Sequence, residues 1–357
     1  MARTHSPIST HTTATGPATE TAPSDLPISA IGVDLSGAGA PREWRREGDE
    51  ETEKFLMGRL AGLASLADKG GVDLVTLDET FHAAGRRRRD DWLDGAVATS
   101  RLARHTTSAA LVAAVSLTRT RPDNVGGAIA SVHRASAGRA GWQLETGADV
   151  PPRAVDAVLR QWQGRQQRPR VVVPVRNAVD AELAAARGDV ARLSVATFDE
   201  ARAAREAIRY AAQDWGRSPD DVQVLVDVHA LISADAASAA ARWDLLNSLE
   251  EAPKPYPLRS HGTAADLVEL WSSWVRGGAA DGFTVIPASL PTDVVALVHE
   301  VIPALRAKGL RKPRRAAAEN VAATPARPAR HATGHGAQTG ERSAAGAAEQ
   351  ETSTLRR

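Results

Sequence analysis

The sequence predicts an α/β fold, specifically a single-domain (β/α)8 TIM barrel. Apolar runs of strand length alternate with segments of helical periodicity along most of the chain. The strand-length runs are rich in Val, Leu, Ile and Ala and show little alternation, which is typical of parallel strands covered on both faces. Eight such strand–helix units can be counted in the sequence, and eight is the number that closes this barrel.

The predicted strands are short apolar runs separated by helix-length segments. They cover residues 28–33, 72–77, 109–115, 141–144, 171–173, 190–195, 222–226 and 283–286. Helical periodicity is found at about residues 55–67, 92–103, 125–135, 153–162, 198–215 and 234–246. The last unit is the clearest. Gly277-Gly278 stops a helix, a strand begins at Phe283, and Pro291 ends the loop before an apolar helix that runs to Leu310.

An open, doubly wound sheet is the structural alternative. No predicted strand is followed by the Gly-x-Gly-x-x-Gly turn that binds a dinucleotide phosphate in many such sheets, which favours the barrel. In a barrel, functional side chains lie where the strands end and the following loops begin. The sequence therefore predicts a site built from the residues that follow each strand.

The composition excludes several classes of function. With 44 basic and 43 acidic side chains, the chain has no overall field that would attract nucleic acid or an anionic membrane. It contains no cysteine, which excludes disulfides, thiolate metal sites and cysteine nucleophiles. The histidines are scattered, and no metal site is predicted. Any redox chemistry must therefore come from a cofactor.

The composition also changes along the chain. Residues 1–25 are rich in Thr, Ser, Pro and Ala without the apolar run of a signal peptide, and we expect them to be disordered. Residues 311–357 lack periodicity, and we expect a mobile tail. The predicted barrel domain spans residues 26–310. No segment resembles a membrane span, and a cytoplasmic location is expected.

Four segments resemble motifs of a known family. Residues 73–78 are similar to a strand that ends in an acidic residue, and residues 116–122 to a Ser/Thr loop before a proline. Residues 134–142 resemble a Leu-Ser-x-Gly-Arg-x-x-Trp signature, and residues 215–220 a Gly-Arg-x-Pro-Asp turn. Together they resemble the bacterial luciferase-like flavin-dependent monooxygenases, within them the nitrilotriacetate monooxygenase branch.

The resemblance implies an oxidoreductase that uses reduced FMN and O₂ to oxygenate a small organic substrate, the reduced FMN being delivered by a separate flavin reductase. A deazaflavin-dependent hydride transfer is the close variant. The implied partners are the small-molecule substrate, the reductase and, as an open alternative, a second copy of the chain. Neither nucleic acid nor a membrane is expected.

The resemblance also implies positions for the cofactor. The residues carried over to FMN binding are Leu77, Ser116, Gln143, Arg176 and Asn177. Leu77 would line the near side of the ring together with Asp78, and Ser116 and Gln143 would face it. Arg176 and Asn177 occupy the usual Gly-Ser-Ser phosphate position, where an arginine can still bind a phosphate through two hydrogen bonds.

Asp78 and His82 are the catalytic candidates, because both follow the second predicted strand. The structural alternatives are that Asp78 caps a loop or helix and that Ser116 is an ordinary turn hydroxyl.

A second hypothesis comes from the short segment between residues 147 and 167, which has no room for the substrate lid that the resemblance implies there. Because an open site would waste reduced flavin as hydrogen peroxide, a degenerate barrel without catalytic activity is the alternative. Such a barrel would bind a ligand or pair with an active homologue.

Overall fold

In the computed structural model, eight parallel strands form a closed barrel with helices around it, which confirms the predicted fold. The structure describes residues 28–39, 57–81, 94–145, 150–164, 167–249 and 256–311. The strands are β1 Ala30–Asp34, β2 Leu74–Leu77, β3 Ala110–Ala114, β4 Ala140–Gln143, β5 Arg170–Val175, β6 Val190–Leu193, β7 Gln223–Ile232, β8 Arg259–Gly262 and β9 Gly282–Pro287. The ring consists of β1 to β7 and β9, with β9 paired to both β7 and β1.

The helices follow the strands in the order that the sequence predicts. They are α1 Met57–Gly70, α2 Asp94–Leu102, α3 Pro122–Ala135, α4 Pro152–Arg160, α5 Ala178–Arg187, α6 Phe198–Asp214, α7 Ala236–Leu249, α8 Ala264–Arg276, α9 Thr292–Ala296 and α10 Ile302–Ala307. A π-helical turn, Leu297–Val301, joins the last two. Local sequence sets several helix starts, as at α6, where Thr197 and Glu200 form a reciprocal capping box.

Strand β8 lies outside the ring. The long strand β7 pairs with β6 over residues 223–226 and with β8 over residues 229–232, so β8 extends the sheet only where β7 projects beyond its neighbour. Strand β8 was not predicted from the sequence, because Arg-Ser-His-Gly contains no apolar run.

Alternate residues of each strand point into the barrel or outward to the helices. A small apolar cluster fills part of the interior and consists of Ala30, Leu74, Ala110, Val112, Val172, Val190 and Leu225. A much larger cluster packs between the strands and the helices. Close packing requires Gly282 at the start of β9, because a Cβ there would lie 2.0 Å from the carbonyl oxygen of Ala30.

Three aspartates join neighbouring strands at the amino-terminal face of the barrel. Each lies directly before a strand and accepts the backbone N–H of a residue in the adjacent strand. We refer to them as the strand-start aspartates. The pairs are Asp73 with Ile31 at 2.7 Å, Asp189 with Val171 at 2.7 Å and Asp281 with Val224 at 2.8 Å.

Each strand-start aspartate also binds an arginine. Arg168 pairs with Asp189 and Arg205 with Asp281, both at 2.7 Å, and Arg311 pairs with Asp73. Arg311 was expected to begin the mobile tail. In the structure Arg311 is only 6% exposed, so the ordered barrel includes it.

Candidate functional site

A buried arginine occupies the barrel interior near the carboxyl ends of the strands. Arg192 of β6 donates from Nε and Nη2 to the two carboxylate oxygens of Asp227, at 2.9 and 3.0 Å. Its Nη1 donates to Asp34 at 3.2 Å and to the side-chain oxygen of Gln143 at 2.7 Å. We call Asp34, Gln143, Arg192 and Asp227 the central network. It joins four strands, β1, β4, β6 and β7.

The carboxylates of the central network are in an unusual environment. Burial and the nearby Asp78 raise the pKa of Asp34 to about 7, against the opposing effects of Arg192 and of the Ser36 amide. Burial also raises the pKa of Asp227, although Arg192 opposes this. Asp34 therefore exchanges a proton near neutral pH and, when protonated, is a hydrogen-bond donor.

The arginine fixes the orientation of the Gln143 side chain. A guanidinium group only donates hydrogen bonds, so the group facing Arg192 must be the amide oxygen of Gln143. The amide nitrogen then points away from Arg192 and carries two N–H donors. Gln143 is thus held as a hydrogen-bond donor at the carboxyl end of β4.

Leu77 ends β2 and Asp78 follows it, and their side chains have different surroundings. The backbone N–H of Asp78 donates to Ser36 at 2.7 Å, and its carboxylate accepts from the backbone and hydroxyl of Thr80 at 2.8 and 2.6 Å. Asp78 thus caps a turn, which is the structural role that the sequence left open for it. Its charge still acts on Asp34. The side chain of Leu77 is fully buried in the outer cluster, so the structure does not bring it to the barrel mouth.

Ser116 belongs to a separate group of polar residues. Its hydroxyl contacts the carboxylate of Glu145 and lies 2.9 Å from the hydroxyl of Thr118. It also accepts the backbone N–H groups of Thr118 and Arg119 at 3.2 Å. Gln143 ends β4 and Ser116 follows the neighbouring strand β3, but their side chains take part in different hydrogen-bonded groups.

Arg176 and Asn177 both bond within the first turn of α5. Arg176 donates to the carboxylate of Asp180 from Nε at 2.9 Å and from Nη2 at 3.1 Å. The side-chain oxygen of Asn177 accepts the backbone N–H of Asp180 at 3.0 Å and caps the helix. An incoming phosphate would have to replace Asp180 as the partner of Arg176. The catalytic candidate His82 lies outside the described residues.

Arg192 and Tyr256 are among the functional candidates of the structure that were not predicted as site residues. The sequence does contain a signal for Arg192, because it is the only charged residue in the apolar run Val-Ala-Arg-Leu. Tyr256 precedes β8. Burial raises the pKa of its hydroxyl, and the carboxylates of Asp34, Asp78 and Asp227 raise it further.

Tyr256 is also part of an aromatic cluster beside the central network. Its ring centroid lies 4.7 Å from that of His229, which lies 5.4 Å from that of Trp243. His261 stacks on Trp243 at 5.1 Å. Because β7, α7, β8 and the residue Tyr256 before β8 supply these rings, the cluster depends on the segment that adds β8 to the sheet.

The described part of the chain has neither a membrane-spanning helix nor a metal-binding cluster. None of its helices is long and apolar enough to cross a bilayer. The same residues contain no group of three or more His, Cys, Asp and Glu side chains that could hold a metal ion.

Comparison with known proteins gives similarity at the level of structure. No protein-family model matches the chain, and no curated protein matches its sequence. The EDTA monooxygenase EmoA from Chelativorans sp. BNC1 superposes with a TM-score of 0.64 at 16% identity, over 80% of this chain and 95% of EmoA. The chain shares this barrel fold with EmoA. This agrees with the resemblance that the sequence motifs indicate.

Other solved structures with this fold belong to proteins with different cofactors. Riboflavin lyase RcaE, described with modified FMN and the substrate riboflavin, gives a TM-score of 0.61 at 16% identity, over 79% of this chain and 92% of RcaE. The coenzyme F420-dependent tetrahydromethanopterin reductase from Methanopyrus kandleri gives 0.55 at 12% identity, over 77% of this chain and 99% of the reductase.

Proposed function

We propose that this protein is a flavin-type oxidoreductase, with reduced FMN and O₂ as co-substrates in the oxygenation of a small organic molecule. The observation that carries the proposal is the orientation of Gln143, whose N–H donors point away from Arg192 at a strand end. The pyrimidine edge of a flavin or deazaflavin ring presents carbonyl and ring-nitrogen acceptors. The two N–H donors of the Gln143 amide therefore fit such a ring.

The residues of the central network would hold the ring and control its protons. Gln143 would donate to a ring acceptor, and protonated Asp34 would supply a second donor from β1. The aromatic cluster that includes Tyr256 and His229 would exclude water from one side. When bound, the cofactor would supply the oxygen or hydride transfer. A separate reductase would deliver FMN in reduced form.

The test is a visible-absorbance titration of the purified protein with FMN, riboflavin and deazaflavin. We expect saturable binding, and we expect Gln143→Leu to weaken it by about 1 kcal/mol, roughly fivefold, through loss of a hydrogen bond. Gln213→Leu, on the exposed side of α6, is the matched control and should bind as the wild type does. Equal affinities of wild type and Gln143→Leu would contradict the assigned role of Gln143.

The second candidate function is a barrel without catalytic activity that binds a ligand or a partner subunit. The pairing of Arg176 with Asp180 favours it, because the arginine expected to bind the phosphate is already neutralised. Failure of FMN, riboflavin and deazaflavin to bind at millimolar concentration would support this alternative against the enzyme.

A further inference from the structure

A slot lies outside the barrel wall, between α5 and the residues that precede α4. Its volume is about 670 Å³, within the range of about 300–1,000 Å³ typical of small-molecule sites. The slot reaches inward to Val173, a buried residue of β5 that faces away from the barrel interior. It is therefore a deep feature between secondary-structure elements, separate from the central network.

The long walls of the slot are mainly apolar, and the two glutamates that also line it, Glu145 and Glu182, accept hydrogen bonds from Thr118 and Trp215. One wall consists of Val150, Pro151 and Pro152, and the other of Val179, Leu183 and Ala186 on one face of α5. Val179 is 77% exposed at the rim, an unusual position for a β-branched apolar side chain. These walls favour an occupant with an aliphatic body.

The charged groups at both ends of the slot already have partners. At one end Arg176 pairs with Asp180 at 2.9 Å, and at the other Arg187 pairs with Asp156 at 2.9 Å. The guanidinium of Arg187 also lies 4.8 Å from the centre of the Trp215 ring. A carboxylate or phosphate would have to displace an aspartate, so the slot disfavours an anionic occupant.

We propose that this slot binds an uncharged, elongated aliphatic molecule with a polar head, the chemistry of a medium-chain primary alcohol. The ten residues of α5 give the slot a length of about 15 Å. The head group would lie at the Asn177 end. There the side-chain oxygen of Asn177 caps the helix, and its amide nitrogen remains as a donor. The aliphatic end would lie near Trp215.

The test uses decan-1-ol with a bromine atom at its far end as a quencher of tryptophan fluorescence. We expect saturable quenching in the wild type, and most of it should be lost in Trp215→Phe. Val179→Lys and Ala186→Phe should weaken binding about tenfold or more, the first by placing an ammonium group against an apolar wall and the second by filling the slot.

Val97→Lys is the matched control, because Val97 is a 51% exposed valine on α2, outside the slot. It should bind the alcohol as the wild type does. Circular dichroism and the riboflavin titration should be the same for Val97→Lys and Val179→Lys. Riboflavin lacks the phosphate that Arg176 and Asn177 at one end of the slot would contact, so this comparison separates the slot from the site proposed for the flavin ring.

Three results would overturn the proposal. The first is the absence of saturable quenching in the wild type. The second is binding of decanoate as tight as that of the alcohol, because an anion would then be accepted. The third is a wild-type dimer in solution that Val179→Lys converts to a monomer, because a second copy of the chain would then cover the slot.

Discussion

Asp34 and Arg192 meet inside the barrel with Oδ2 and Nη1 3.2 Å apart, and both side chains are almost fully buried. The same guanidinium already holds both oxygens of Asp227. One arginine thus serves two carboxylates, and the charge of Asp78 acts on the same group. Burial of more negative than positive charge favours protonation of one carboxylate, and the structure assigns that role to Asp34.

We expect the free energy of unfolding to fall as the pH rises from about 4 to about 7. The pKa of Asp34 rises from its ordinary value of 3.8 to about 7 on folding, so in this interval the folded protein binds more protons than the unfolded chain. The loss between pH 5 and pH 8 should be on the order of 3 kcal/mol. Urea unfolding at both pH values measures it.

Asp34→Asn should remove most of this pH dependence, because the amide does not titrate. Asp244→Asn, at an exposed position of α7, should keep the wild-type slope. If Asp34→Asn kept the wild-type slope, another group would be responsible for the effect.

Asp281 should contribute much more to stability than a surface aspartate with the same partner. It accepts the backbone N–H of Val224 and pairs with Arg205 and Arg209. Asp281→Ala leaves these groups without their acceptor and should lower the free energy of unfolding by about 3 kcal/mol. Asp220→Ala removes an exposed partner of Arg209 and should cost less than about 0.5 kcal/mol. Chemical denaturation distinguishes the two, and similar losses would contradict the role of the strand-start aspartates.

Replacement of Gly282 by alanine should destabilise the barrel, whereas replacement of Gly62 by alanine should be tolerated. A Cβ at Gly282 would lie 2.0 Å from the carbonyl oxygen of Ala30, while a Cβ at Gly62 in α1 meets nothing within 4 Å. We expect Gly282→Ala to lose more than about 3 kcal/mol of stability by forcing β9 away from β1. Gly62→Ala should gain about 0.5–1 kcal/mol from helix propensity. Thermal unfolding of both variants tests this, and a stable Gly282→Ala barrel would show that β9 can shift.

Asp180 should control how Arg176 recognises a phosphate. If Arg176 is the phosphate anchor, Asp180→Asn frees its guanidinium and should strengthen FMN binding relative to riboflavin by about 1–2 kcal/mol. Arg176→Ala should weaken FMN more than riboflavin. Fluorescence titrations of both ligands give the comparison. Equal changes for FMN and riboflavin in both variants would show that Arg176 does not bind the phosphate.

The eight strands of the ring could be predicted because each is an apolar run covered on both faces. Strand β8 could not, since it forms only where β7 extends beyond β6. The position of Gln143 at a strand end was also predictable, but its orientation was not. That orientation depends on Arg192, which lies 49 residues away in the sequence. By contrast, the Arg176–Asp180 pair is an i,i+4 contact that the sequence alone makes visible.

The side chain of Leu77 shows how alternation limits a prediction by resemblance. Leu74 points into the barrel, so Thr76, two residues later, points inward as well. Leu77 belongs to the outer cluster and points toward the helices. A motif match located the strand end correctly. The alternation of side chains along the strand then decides which of them can reach the barrel mouth.

The backbone N–H of Ile28 donates to the carbonyl oxygen of Leu310 at 2.7 Å, so the two ends of the ordered barrel touch. A circularly permuted chain, with a short linker between these residues and new ends in a surface loop, would keep every strand beside its present neighbours. The order in which the strands are synthesised is thus separable from the order in which they pair. Asp73, which accepts the backbone N–H of Ile31, would still join β1 to β2 in the permuted chain.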